Sequence, residues 1–113
     1  MQTFTASRVD VLSQHDLDYG EGWIAFTWPD PLYGEERLTI QFDGFCSKAN
    51  PFYSGYGLES VLLERIKVSL RFSEELSQTL ELDQEVIIVC ELSDKDYAGL
   101  FAAFDMVGVL RES

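Results

Sequence analysis

Residues 66–110 constrain the fold of this chain more than any other part. Ile66, Val68, Leu70 and Phe72 alternate with Lys67, Ser69 and Arg71, and a period of two sends successive side chains to opposite faces of a sheet. A polar connection over 73–84 leads to a second apolar segment, 85–92, rich in β-branched residues. Ser93 then offers a capping hydroxyl, with Asp94 and Asp96 in a first turn where the helix dipole favours negative charge. Tyr97, Leu100, Phe101, Phe104 and Val107 recur at helical spacing, so one apolar stripe must land on a sheet. Each of these side chains is worth about 1.5–3 kcal/mol when buried. On this reading a glutamate at either Phe101 or Phe104 unfolds the domain.

The rest of the chain must supply that sheet. Residues 3–12 predict a first strand through Phe4, Val9, Val11 and Leu12, although their phase is irregular. Residues 13–21 are polar, with Asp16, Asp18 and Gly20 as turn formers. The segment 22–28, GWIAFTW, is apolar on both faces and suits a buried strand. Pro29-Asp30-Pro31 ends it, because proline cannot donate to a ladder. A loop over 29–36 leads to 37–43, where Leu38, Ile40 and Phe42 alternate with Arg37, Thr39 and Gln41. Residues 44–57 hold three glycines, a proline, two serines and an asparagine, which predicts a long loop containing Cys46. Residues 58–63 predict a further strand turning at Glu64-Arg65 into 66–72; one long or bulged strand is the alternative. Over 73–80 a capping serine, two first-turn acids and the pair Leu76 and Leu80 predict a short helix. The sum is one α+β domain spanning 1–113: a mostly antiparallel sheet of about six strands, with the C-terminal helix packed on one face.

A chain of 113 residues can bury a core without staples. No apolar run approaches the roughly 20 residues of a membrane span. The first residues lack the basic-then-apolar pattern of a secretory signal, so a reducing cytoplasm is the expected setting for Cys46 and Cys90, the latter as a small core residue. Twenty Asp and Glu against eight Lys and Arg give a net charge of -12. That balance opposes nucleic-acid phosphates and anionic membranes and attracts a basic partner; acidity for solubility alone stays open.

Signs of catalysis are missing from the residue pattern. His15 is the only histidine and sits in a polar stretch. Cys46, Cys90 and His15 have no metal-site spacing, and DLDYGEG over 16–22 does not follow the calcium-loop pattern. Neither a phosphate loop nor a nucleophile elbow occurs. The expectation is therefore a binding protein with no cofactor and no metal. The acids are unevenly placed: no lysine or arginine occurs between Arg8 and Arg37, or between Arg71 and Lys95. Arg37, Lys67 and Arg71 fall on the polar phase of their strands, predicting a mixed or basic sheet face with acid in the loops. Beside the acid lie Trp28, Tyr33, Phe52, Tyr53 and Tyr56, residue types that anchor interfaces. For Trp28, core and interface are equally open. The candidate contact set is Trp28, Asp30, Tyr33, Glu35, Glu36, Tyr53 and Tyr56.

From about 22 to 110 the chain resembles the Immunity protein 10 family, small bacterial proteins of polymorphic toxin systems. The likeness runs through GWIAFTW, LTIQF, a glycine- and tyrosine-containing loop, ESVLLERIKVSLRFS, an acid- and leucine-containing connection, and EVIIVCELSDKDYAGLFAAF. It implies a cytoplasmic, non-enzymatic protein that binds and neutralises a cognate toxin domain. A small acidic secretion chaperone or adaptor is the alternative, binding a basic or secreted protein by adding a strand to an open edge. Such an edge would also admit a homodimer.

Overall fold

The computed structural model describes residues 1–13, 22–50 and 52–110. The polar stretch with His15, Asp16, Asp18 and Glu21 lies outside them. The described residues form an α+β structure with nine strands in two sheets, where the sequence predicts about six strands in one. In chain order the elements are β1 (Gln2–Thr5), β2 (Arg8–Ser13), β3 (Gly22–Asp30), β4 (Gly34–Gln41), β5 (Cys46–Lys48), β6 (Tyr53–Gly55), β7 (Leu58–Leu63), β8 (Lys67–Phe72), α1 (Glu74–Leu80), β9 (Glu85–Val89) and α2 (Asp94–Val107). One sheet has the order β1-β9-β8-β7, antiparallel except for the parallel pair β1 and β9. The other, β2-β3-β4-β5-β6, is antiparallel throughout.

The expected first strand is two strands belonging to different sheets. Ala6 N–H donates to Val89 O at 2.9 Å in one sheet, and Ser7 N–H to Thr27 O at 2.7 Å in the other. The chain changes sheets between adjacent residues, which is why Phe4 and Val9 fall out of phase. The loop expected over 44–57 contains β5 and β6. Cys46 is wholly buried in β5, and the next inward position is Lys48, a lysine where the alternation calls for an apolar residue. Its ammonium lies 5.7 Å from the centre of the Tyr53 ring, a cation–π contact that suits burial of the stem.

Where signals are local, sequence and structure agree. β3 is buried on both faces, although it runs past Pro29 to Asp30. Val68, Leu70 and Phe72 point inward, but Ile66 precedes β8 in the turn and is 64% exposed. Ser73 caps α1, its hydroxyl accepting from Leu76 N–H at 3.1 Å, and Ser93 caps α2 through Asp96 N–H at 3.1 Å. Gly57 (φ +142) brings β7 against the start of α1; a Cβ there would lie 2.8 Å from that of Leu76.

One core serves both sheets. Ile24, Phe26, Trp28, Leu38 and Ile40 meet Val61, Val68, Leu70, Phe72, Val86 and Ile88, closed by Leu76 and Leu80 of α1 and Leu100, Ala103 and Phe104 of α2. α2 packs against β2, β3 and β7. Its stripe is narrower than predicted, for Phe101 is 51% exposed. With Leu100 and Phe104 aimed at the core, a residue rotated 100° from Leu100 falls on the flank. The expectation that a glutamate at Phe101 unfolds the domain is corrected accordingly. Beyond α2, Val61 N–H donates to Val109 O at 2.8 Å and covers the edge of β7.

Both cysteines are free and buried. Burial, helped by the charge of Asp43, pushes the Cys46 thiol up to about 12, and burial also raises that of Cys90. Thiolate is the reactive form, so thiol reagents are expected to leave both cysteines unmodified in the native protein at neutral pH. Both should react on denaturation, as a colorimetric titration with and without urea would measure.

Candidate functional site: an acidic, aromatic end of the five-stranded sheet

The turn between β3 and β4 is built by Asp30. Its Oδ1 accepts from Leu32 N–H at 2.8 Å and Tyr33 N–H at 2.9 Å, and Gly34 takes the left-handed conformation (φ +84). The carboxylate substitutes for backbone partners in the manner of an Asx turn. Leu32 and Tyr33 are left 78% and 53% exposed at the tip. Large apolar groups have been put into water by a turn that could have carried polar ones.

Glu36 ties a second segment to this hairpin. It is buried, and its Oε1 accepts from three backbone amides: Arg37 at 2.9 Å, Asn50 at 3.0 Å and Ala49 at 3.1 Å. Asn50 Nδ2 donates in turn to Glu35 O at 2.8 Å. The segment that follows presents Phe52, 69% exposed, and then Tyr53. Glu81, the C-cap of α1, comes up beside Tyr53; its negative charge raises the phenol above its ordinary range, and Tyr33 is close enough to add to the effect. Glu81 holds this place with φ +57, a left-handed conformation that favours glycine.

The predicted contact residues are thus divided. Tyr33, Glu35 and Tyr53 come together at this end of the sheet, and Asp30 shapes it from beneath. Trp28 is 3% exposed, its ring stacked on Phe4 with centroids 4.4 Å apart, so it is a core residue. Glu36, 4% exposed, is an internal clamp and not a surface charge. Tyr56 lies past the opposite end of β6, where its hydroxyl donates to Asp43 Oδ2 at 3.2 Å and its ring meets Phe45 edge-on. Leu32, Phe52 and Glu81 complete the site. Phe52 stands out in the sequence as a loop aromatic; Glu81 carries no comparable signal.

Of the mixed or basic sheet face predicted from Arg37, Lys67 and Arg71, the mixed form is the one seen, and it is divided between the two sheets. Arg37 lies on the five-stranded sheet over the Trp23 ring, 5.4 Å from its centre. Lys67 and Arg71 lie on the other sheet, paired with Glu64 at 3.7 Å, and with Glu85 at 2.7 Å and Glu59 at 3.7 Å. Among the described residues no group of three or more His, Cys, Asp or Glu could hold a metal ion, and no helix is long and apolar enough to cross a membrane.

Compared with protein-family models, curated proteins and solved structures, the chain matches none. The class is therefore defined by fold and surface: a two-sheet α+β protein with exposed Leu32, Tyr33 and Phe52 beside Glu35 and Glu81.

Proposed function

We propose that this chain is a non-enzymatic, cytoplasmic binding protein that neutralises a cationic toxin domain, in the manner of the immunity proteins it resembles. The observation that carries the reading is the end of the five-stranded sheet, where Leu32, Tyr33 and Phe52 are 78%, 53% and 69% exposed and carboxylates flank them. Exposed aromatic and aliphatic anchors supply contact area that excludes water, while flanking acid steers a basic partner and speeds its association. A net charge of -12 acts in the same direction. A second reading, a strand-adding chaperone, draws on β1, which pairs with β9 alone among the described residues. Beside it runs a groove of about 430 Å³ lined in part by Thr5, Trp28 and Pro29.

The test is to find whether a neighbouring gene encodes a toxin domain, and then to measure binding to that domain and rescue from its toxicity. Glu35→Lys with Glu81→Lys is expected to slow association about tenfold and flatten its salt dependence. Leu32→Ser with Phe52→Ser should instead raise the dissociation rate by a similar factor or more. Glu81→Gly separates stability from binding: it removes a left-handed strain of about 1–2 kcal/mol, offset by the roughly 0.5–1 kcal/mol of extra entropy glycine loses on folding, and so should raise stability slightly yet weaken the complex. Unchanged kinetics across the set would remove this end as the interface. Failure to bind or rescue would remove the toxin assignment.

A further inference from the structure

The outward face of α2 is a second surface that the core leaves unused. With Leu100, Ala103 and Phe104 turned inward, helical rotation sends Lys95, Ala98, Ala102 and Asp105 to the opposite side. Phe101 and Met106 flank them, 51% and 56% exposed. Among the described residues, neither Lys95 nor Asp105 enters an ion pair within the chain. The face thus combines apolar side chains in water with one free charge of each sign.

We propose that this face is the seam of a two-fold dimer, a second copy of the chain laying its α2 antiparallel across the first. The arrangement of residues about Leu100 selects a second copy as the occupant. An antiparallel pair centred there brings Ala98 level with Ala102 of the other copy, and Lys95 level with its Asp105. The same axis sets Phe101 beside its own counterpart. Small side chains let the helices approach, the phenylalanines supply apolar contact, and each lysine–aspartate pair occurs twice because a two-fold interface is isologous. The balance of charge on the seam matters in a chain of net -12, whose copies repel elsewhere. The aromatic end, carried by the β3–β4 turn and the segment before β6, is not part of the seam and stays open to a different partner.

One helix face covers less than the roughly 800 Å² per partner of a standard interface, so the dimer belongs to the micromolar range or above. Sedimentation velocity of the full chain, from low to high micromolar, is expected to show concentration-dependent dimerisation. Lys95→Glu sets like charges opposite one another and should weaken the dimer about tenfold or more. Combining Lys95→Asp with Asp105→Lys restores the opposite signs and should recover it. Both residues are exposed, so circular dichroism should show an unchanged fold in each variant. A chain that stays monomeric throughout the range overturns the proposal. So does a dimer that Lys95→Glu leaves intact, or one that the charge swap fails to recover.

Discussion

Phe104→Ala is expected to cost about 3–5 kcal/mol, a large part of the roughly 5–15 kcal/mol that holds a domain together. Phe104 is wholly buried where α2 meets both sheets, in the same core as Leu100 and Ala103. Truncation removes apolar contact and leaves a void that two sheets and a helix cannot all move to fill. Urea denaturation should show the midpoint falling steeply with the slope preserved. Phe101 is the internal comparison: three residues away on the same helix and half exposed, it should tolerate alanine within about 0.5–1 kcal/mol. Equal losses at the two positions would mean that α2 is rotated from the orientation described.

Glu36→Ala should be the next most damaging change, at about 3 kcal/mol. Its buried carboxylate serves the part-buried amides of Arg37, Ala49 and Asn50, and a hydrogen bond to a charged group contributes about 1.5–3 kcal/mol. Ala49 keeps a second acceptor in Arg37 O at 3.0 Å, which limits the loss. Glu36→Gln retains an oxygen acceptor without the charge and should recover part of the stability in the same denaturation experiment. Because the clamp holds the Phe52 segment against the hairpin, Glu36→Ala should also speed amide hydrogen exchange at Asn50 ahead of global unfolding. Loss of stability without local exchange would place the effect elsewhere.

How far the fold was legible depended on how local each signal is. Ser73, Ser93 and the alternation through Val68, Leu70 and Phe72 act within a few residues, and they gave both helices and the β7–β8 pair correctly. β5 and β6 are three residues each, too short to show a period, and Lys48 at an inward position hides the one there is. The division into two sheets left only one mark in the sequence, the break in phase between Phe4 and Val9. At the candidate site, Tyr33, Glu35 and Tyr53 were legible as acids and aromatics beside turn formers. Trp28 and Glu36 were not separable from them, because their burial depends on Phe4 and on the amides of Ala49 and Asn50. Glu81 was missed because its backbone conformation is one the sequence would assign to glycine.

The switch of sheets at Ala6 and Ser7 also governs the order in which the molecule can be assembled. β1 lies in register with β9, Gln2 opposite Val86 and Thr5 opposite Val89, so β1 waits for the last of the described strands to be made. Loop closure over that span is slow compared with hairpin formation. On the ribosome the hairpin of β3 and β4 can form while β1 is still unpaired, and the two-layered core closes only after Val89 has emerged. A nascent chain halted before residue 85 should therefore be cut readily by protease near its N-terminus, and one extended past α2 should resist.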